Sequence, residues 1–448
     1  MLAALSDSPS FVRGALKARD SSLAIAALRA LGCSIDEDGT DLAVSPGSLA
    51  AGSSVGVDVG NAGTVMRFLP AVAALSPASV AFDGDPRARE RPIGALLSAL
   101  RDLGVSIDDG GRGSLPFTIH GSGAVRGGPV TLDASGSSQL VSGLLLAAPR
   151  FTEGVEVRHS GPPVPSLPHI EMTVRMLRDA GADVEVGYDG RRPDDLSDSG
   201  LRGDRRIGSG LPGGSLSDSG LEMSGAGAPD ISDISQYRPN LWRVRPGRLN
   251  LGGFTVEPDL SNAGPFLAAA LVTGGTVTFR DWPADSLQAA DAIVDVVTRM
   301  GASVSHGPDG LTVTGSGAIN GIEADLRDIP ELCLPLTSVA ALASGPSTFT
   351  GVAHTRMQET DRLAAIAKEV NALGGDVTEL PDGLIIHPRP LRAAPGHAFE
   401  SYDDHRMVMA GAVLGLAVPG IEVLNVATVG KTFPDFTTMW AELVQVEP

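Results

Sequence analysis

A helix ending in glycine, then a strand, a turn and a second strand, recurs five times in this chain. No other feature constrains the fold as strongly. The copies are IAALRALGCSIDEDGTDLAV from Ile25, LLSALRDLGVSIDDGGRGSLPFTI from Leu96, TVRMLRDAGADVEVG from Thr173, VDVVTRMGASVSHGPDGLTV from Val294 and IAKEVNALGGDVTELPDGLII from Ile366. Their junction glycines are Gly32, Gly104, Gly181, Gly301 and Gly374. Glycine suits that place because the chain leaves a helix through a left-handed turn, and the Asp-Gly pairs that follow mark hairpins. Successive junctions lie 72, 77, 120 and 73 residues apart. The long interval holds residues 190–236, rich in Gly, Ser and Asp. Such a composition cannot bury enough apolar area to offset its ordering entropy. A disordered insertion between the strands of the third hairpin is expected there, with the second strand resuming at Leu241-Trp-Arg-Val-Arg245. An interdomain linker fits less well, because the hairpin partner lies beyond it.

One more repeat length after Gly374 reaches the last residues, so Thr437–Val444 is the helix of a sixth copy with no strands behind it. In a closed repeat architecture those strands come from the N-terminus. The chain instead opens in the helical fragment LAALSDSP, so the repeat count predicts a missing N-terminal segment. Three copies per half give a two-domain, inside-out α/β barrel of about six helix-hairpin repeats, helices within and sheets outside. The expected domains are residues 1–257, carrying the insertion, and 258–448, with the site in the cleft between them. The boundary falls at Glu257-Pro258-Asp259, ahead of a helix at Ala263–Val272.

At 448 residues the chain is too long for one ordinary core. Aromatic residues are 4% of it, which leaves no stacking surface for single-stranded nucleic acid. A formal net charge of −19 argues against nucleic acid and anionic membranes as partners. An anionic ligand must therefore be held by a local basic cluster. Lysine occurs three times, at Lys17, Lys368 and Lys431, so arginine supplies most of the positive charge. Two distant cysteines, Cys33 and Cys333, make no disulfide framework, and a reducing cytoplasm is expected. No Cys/His cluster has metal-ligand spacing, so no metal is expected. The N-terminus lacks the features of a signal peptide, and no run reaches membrane-spanning length.

The chemistry concentrates at His354-Thr-Arg-Met-Gln-Glu-Thr-Asp-Arg362, which opens the apolar run Leu363–Leu373. Arg362 falls in the first turn of that helix. The partial positive charge there makes an arginine unfavourable by about 0.3–1 kcal/mol, which suggests that an anion is expected beside it. Arg67 after Val59-Gly-Asn-Ala-Gly-Thr64, Arg91 before Pro92, Arg406 after Asp403-Asp404-His405 and Lys431 in Gly430-Lys-Thr-Phe-Pro-Asp435 share the pattern. Each alone reads as a solvated charge. Together, at expected helix N-termini, they would focus positive potential into one cleft. Ser135-Gly-Ser-Ser-Gln139 and Ser166 read either as helix caps or as phosphate donors. Glu331 and Glu359 are ordinary acids at helix starts, or general acid-base groups. Cys333, in an apolar run with no base beside it, reads as core.

GNAGT with Arg67, RPIG from Arg91, SSQ at 137–139, ETDR at 359–362, DHRM at 404–407 and GKTFPD at 430–435 occur in that order. Together they resemble the EPSP synthase family, in a diverged form similar to actinobacterial members. The resemblance covers the chain outside residues 190–236. It implies a two-domain fold of inside-out repeats and transfer of the enolpyruvyl group of phosphoenolpyruvate to the 5-hydroxyl of shikimate 3-phosphate, without metal or organic cofactor. By position, Gly63, Arg91, Gln139, Arg362, Arg406 and Lys431 are expected to hold phosphoenolpyruvate. Ser137, Ser138, Gln139, Ser166, Glu331 and Gln358 are expected at the shikimate 3-phosphate site. Glu331 is expected as the base for the hydroxyl proton, and Glu359 in proton transfer at the methylene carbon. Asn61, Thr64, Arg67, Asp259, His354 and His405 are expected to support them. The expected state is a cytoplasmic monomer acting on two small-molecule substrates.

This sequence departs from the family's pattern in several places. It starts after the family's Lys-Ser-x-x-Asn-Arg segment, so an impaired chain of the same fold is one alternative. Gln358 stands for a lysine, His354 for an asparagine, His169 for a tyrosine, and Phe68 for a proline. The sister enzyme acting on UDP-N-acetylglucosamine is the other alternative. It usually relies on a cysteine in a Gly-rich loop, which neither Cys33 nor Cys333 supplies.

Overall fold

A computed structural model describes residues 1–47, 54–188 and 238–445. The insertion expected over 190–236 lies outside the described residues. All five junction glycines are left-handed, with φ of 101° at Gly32, 96° at Gly104, 93° at Gly181, 111° at Gly301 and 91° at Gly374. A side chain there would cost about 1–2 kcal/mol in backbone strain. Each glycine leads into an antiparallel hairpin. Ser34–Asp38 pairs with Asp41–Ser45, Ser106–Asp108 with Phe117–His120, and Val184–Tyr188 with Pro239–Val244. Ala302–Gly307 pairs with Gly310–Gly315, and Asp376–Leu380 with Gly383–His387. The pairing of Val184–Tyr188 with Pro239–Val244 sets the long interval between two strands of one hairpin.

The repeating unit is larger than the sequence pattern shows. Strand Ser54–Asp58 runs parallel to Ser79–Asp83, and helix Gly63–Ala73 crosses between them. Helix Gly94–Asp102 and the hairpin then complete a four-stranded sheet. The same strand-helix-strand-helix-hairpin order recurs over residues 128–244 and 323–387. The crossing helices are apolar nearly all round. Gln139–Ala147 buries everything from Leu140 to Ala147, and Cys333–Ala340 is wholly buried. Such helices carry no polar-apolar period, so the copy-to-copy pattern registers only the amphipathic second helix and its hairpin. Near the start, Ser10–Arg13 pairs in parallel with Gly253–Thr255, which ties the two ends of the first half together. Ala398–Phe399 and Glu422–Val423 form a two-stranded parallel sheet.

Among the described residues two large apolar cores and a smaller cluster around Phe266 and Phe436 result. One large core draws on residues between Leu2 and Leu249, the other on residues between Leu260 and Leu414. The last helix, Phe436–Gln445, packs through Phe436 and Trp440 against Phe266 at 6.0 and 5.8 Å between ring centroids. The halves also meet through polar contacts. Ser166 N donates to Arg327 O at 2.9 Å. Arg87 Nε donates to the carbonyls of Gln358 and Glu359 at 3.2 and 3.1 Å. No helix among the described residues is long and apolar enough to cross a membrane.

The junctions differ in how tightly they pack. A Cβ on Gly301 would lie 2.7 Å from Ala318 O, whereas one on Gly104 meets nothing closer than Arg126 Cβ at 3.7 Å. Gly104→Ala is expected to cost about 1–2 kcal/mol from the φ angle alone. Gly301→Ala adds a clash and should cost about 2–4 kcal/mol. Urea unfolding of the two variants measures the difference, and equal losses would show that the φ angle alone governs.

Candidate active site

Asp404 organises the second half of the site. It precedes helix His405–Gly415, and its Oδ1 caps that helix by accepting from Arg406 N at 2.9 Å. The same carboxylate accepts from Arg362, Nε to Oδ2 at 2.7 Å and Nη2 to Oδ1 at 3.1 Å. Arg362 is the first residue of helix Arg362–Ala372, whose cap is Asp361, accepting from Ala364 N at 3.1 Å. The anion expected beside Arg362 is thus supplied by the chain itself. Arg362 Nη1 also donates to Gln358 Oε1, so Gln358, a neutral residue, is spent on orienting the guanidinium. Burial opposes the charge on Arg362, but Asp404, Glu359 and Glu331 outweigh it and hold its pKa above the ordinary arginine value.

Arg406 projects toward the cleft. Its Nη2 donates to Ser261 Oγ at 2.8 Å, and its Nη1 to the carbonyls of Ser261 and Glu331 at 3.3 and 3.2 Å. Ser261 Oγ in turn donates to Asp259 Oδ1 at 2.6 Å. Burial, with Arg362 alongside, lowers the Arg406 pKa. Glu331 sits in the single turn Pro330–Leu332. Burial would raise its pKa, yet His169, Arg406 and Arg362 bring it below the ordinary glutamate value, so it is ionised.

Glu359 is the most heavily paired acid. Lys431 Nζ lies 2.6 Å from Oε1, His405 Nδ1 is 2.9 Å from Oε2, and Arg362 Nη2 is 3.8 Å from Oε1. Against the pull of burial, His405, Lys431 and Arg362 hold its pKa well below the ordinary value. Glu359, Asp404 and His405 place potential metal-ligand atoms within 4.8 Å of one another. Lys431 and Arg362 already engage those carboxylates, so the trio reads as an ion-pair network. Asp20, on helix Arg19–Ala30 of the first half, joins this group. Burial raises its pKa, and the charges of Lys431, Glu359 and His405 act on it.

In the first half Arg67 and Arg91 hydrogen-bond to neutral oxygens and to no carboxylate. Arg91 Nη1 donates to Asn61 O at 2.7 Å and Oδ1 at 3.1 Å. Arg67 Nη1 donates to Gln139 Oε1 at 2.9 Å, and its Nη2 to Pro92 O at 3.4 Å. The Nε atoms of both are buried without partners. Burial and the neighbouring Arg91 pull the Arg67 guanidinium down to about 9, and burial lowers Arg91 as well. Gly63 makes their convergence possible. A Cβ there would lie 2.6 Å from Arg91 Nη2, 3.0 Å from Arg67 Nη1 and 3.2 Å from Gln139 Oε1. Buried like charges without counter-ions are costly, and a bound anion removes that cost. A cavity of about 280 Å³ joins Arg67, Arg91, Ser137 and Gln139 to His354 and Gln358 of the other half. A second, of about 520 Å³, is lined by His169, Asp259, Ser261, Glu331 and Arg406.

The expected residues outside these networks are placed as follows. Ser137 Oγ accepts from Gln139 N at 3.3 Å, closing a local turn just ahead of the helix. Ser138 is buried at the start of helix Gln139–Ala147 and makes no side-chain cap bond. Ser166 is buried and left-handed, with φ of 51°. Thr64, the second residue of helix Gly63–Ala73, is exposed. Cys333 is buried core, its thiol pushed up to about 12 by burial.

The shared helix-start placement of the basic residues needs correction. Arg362 and Arg406 do open helices, but Arg67 is the fifth residue of its helix. Arg91 follows the short helix Pro86–Glu90, and the next helix begins at Gly94, so Pro92 is not its first residue. Ile93, at φ −136° and ψ −1°, is non-helical there. Lys431 closes the turn Val426–Lys431, ahead of the helix from Phe436. The cations converge through tertiary packing more than through helix ends. Sequence reasoning missed Asp20, Arg87, Ser261 and the role of Asp404. Of these, Asp404 had a signal, since an acid two residues before Arg406 at a helix start is a cap.

This arrangement defines an inside-out α/β repeat protein with a buried cluster of cations between its halves. Comparison with known proteins narrows the class. The pattern of EPSP synthase (3-phosphoshikimate 1-carboxyvinyltransferase) matches residues 1–192 and 231–440. A 3-phosphoshikimate 1-carboxyvinyltransferase of Kocuria rhizophila is 46% identical over 456 aligned residues, which span 100% of this chain and 91% of the relative. Two solved EPSP synthase structures from Acinetobacter baumannii superimpose with TM-scores of 0.71 and 0.69 at 24% and 23% identity, each covering 99% of this chain and 91% of the other. They share its fold. The chain belongs to the EPSP synthase family.

His354 yields a pH test. Burial lowers its pKa to about 4, and its Nε2 is buried without a partner. Below pH 6.5 the unfolded chain takes up a proton there, while the folded chain does so only near 4. Stability from this group is therefore present above pH 6.5 and is lost as pH falls toward 4. His354→Asn should flatten that window by about 3 kcal/mol at most. Thermal unfolding of wild type and variant between pH 7 and 4 measures it, and parallel curves would exclude the effect.

Proposed function

We propose that this chain transfers the enolpyruvyl group of phosphoenolpyruvate to the 5-hydroxyl of shikimate 3-phosphate, releasing phosphate, within aromatic amino-acid biosynthesis. The observation that carries the proposal is the carboxylate-free pair Arg67 and Arg91, meeting at Gly63 beside Gln139 and sharing a cavity with His354 and Gln358. Family membership gives that anion site its substrates.

In this reading Arg91, Gln139, Lys431 and the space above Gly63 hold the phosphate of phosphoenolpyruvate, with Arg67 behind them. Arg362 and Arg406 hold its carboxylate. Shikimate 3-phosphate takes Ser137, Ser138, Gln139 and Ser166 at its phosphate end, and Gln358 and Glu331 at its ring. Glu331, kept ionised beside Arg406 and His169, removes the 5-hydroxyl proton as the oxygen bonds to C2 of phosphoenolpyruvate. The C2–C3 electron pair takes a proton at C3, giving a tetrahedral adduct. Lys431 and Glu359, 2.6 Å apart, carry a mobile proton between them for that carbon. Breakage of the C2–O bond to phosphate and return of a C3 proton to Glu359 regenerate the double bond. The guanidiniums stabilise the adduct's charge in a site already organised for it. Asn61, Asp259, His354 and His405 orient these groups, and Thr64 stands at the rim. The two cores support domains at 1–257 and 258–448 that close on the substrates. A cytoplasmic monomer fits this role.

Phosphate release from the two substrates tests the proposal. Glu331→Gln should lower kcat by about 10³-fold, equivalent to ~4 kcal/mol, with a small change in KM. Arg362→Ala should raise the KM for phosphoenolpyruvate at least about 100-fold, ~3 kcal/mol. Absence of turnover by the purified chain, or an Arg362→Ala enzyme matching wild type, would overturn the proposal.

A further inference from the structure

Helix Arg362–Ala372 grips the loop ahead of Asp404 at two points, and one of them is remote from the substrates. At its first residue, Arg362 binds Asp404. Seven residues on, two turns along the same face, Glu369 is buried at 3% exposure. It accepts from Tyr402 OH at Oε1, 2.5 Å, and from Glu400 N at Oε2, 3.2 Å. A carboxylate buried in a helix is costly unless its oxygens are satisfied, and here both are used on one loop.

That loop needs holding. Tyr402 and Asp403 are consecutive left-handed residues with φ of 53° and 55°, and neither is glycine. Such residues persist where the surroundings over-determine them. The reversal they make delivers Asp404 beneath Arg362. Other restraints act on the neighbours of Tyr402. Asp404 N donates to Ser401 O at 2.9 Å, and Thr428 Oγ1 donates to Asp403 O at 3.0 Å. Asn425 Nδ2 donates to Asp403 Oδ1. Lys368 Nζ lies 5.4 Å over the Tyr402 ring.

We infer that Glu369 and Tyr402 are positioning residues for the anion site: their hydrogen bond fixes the loop that places Asp404, and through it the guanidinium of Arg362 and the helix start that carries Arg406. Neither touches the substrates. The inference rests on the enolpyruvyl-transfer reading for its kinetic consequence, but the clamp is measurable without turnover.

Three variants are compared with wild type. Glu369→Ala removes both hydrogen bonds, Tyr402→Phe removes one, and Glu369→Gln keeps an acceptor for the tyrosine. Hydrogen exchange of the segment 400–407 should rise about tenfold in Glu369→Ala and Tyr402→Phe, with the other core helices unchanged. The KM for phosphoenolpyruvate should rise about tenfold in both. The KM for shikimate 3-phosphate should stay within about twofold, and Glu369→Gln should recover to within about threefold of wild type. The double variant Glu369→Ala/Tyr402→Phe should be no worse than Glu369→Ala. A stabilising role alone lowers the active fraction and the unfolding temperature but leaves that KM where it was. An unchanged phosphoenolpyruvate KM in folded Tyr402→Phe overturns the inference, and so does unchanged exchange in 400–407. An inactive wild type would instead defeat the enolpyruvyl-transfer reading, while the exchange result still decides the clamp.

Discussion

The second half of the site depends on one carboxylate. Asp404 is fully buried, and it neutralises Arg362 and caps the helix start that carries His405 and Arg406. A buried arginine without such a partner would lose its charge-stabilising geometry, and a buried carboxylate without the arginine would protonate. The pair costs less together than either would alone. It also leaves Arg406 without a carboxylate hydrogen bond of its own, among the carbonyls of Ser261 and Glu331. That contrast, one arginine oriented by a carboxylate and its neighbour held by neutral oxygens, gives the two guanidiniums different supports within one cluster.

The first half shows the same division more sharply. Arg67 and Arg91 are held by carbonyl and amide oxygens and repel each other across Gly63. In a chain with a net charge of −19, a cluster like this must act locally against the overall charge. Burial strengthens its local field, since charges inside are screened far less by salt and water. Glu359 then links the halves: it neutralises Lys431, and Arg87 from the first half binds its backbone carbonyl. The cavity that holds Arg67 and Arg91 also draws its lining from both halves.

Much of this could be seen in the chain. The junction glycines and the hairpins follow from local chemistry, because a left-handed helix exit and a two-residue turn are decided within a few residues. The crossing helices, such as Gln139–Ala147, were visible as apolar runs but not as parts of the repeat, because they lack a polar face. The shared helix-start placement failed for Arg67, Arg91 and Lys431, since their convergence is set by packing between elements far apart in sequence. Asp20 and Ser261 were hidden for the same reason: an acid in a first turn and a serine near a cap look ordinary until their neighbours are known. Gln358 looked like a lost cation, and its tie to Arg362 gives it a use that no spacing reveals.

Asp404→Asn is the most direct probe, because asparagine keeps the size and the cap acceptor and removes only the charge. If Asp404 organises the anion site, the folded variant will bind phosphoenolpyruvate at least about 100-fold more weakly, ~3 kcal/mol, while its affinity for shikimate 3-phosphate changes little. A variant that binds phosphoenolpyruvate as wild type does would show that Arg362 and Arg406 are placed by something other than this carboxylate.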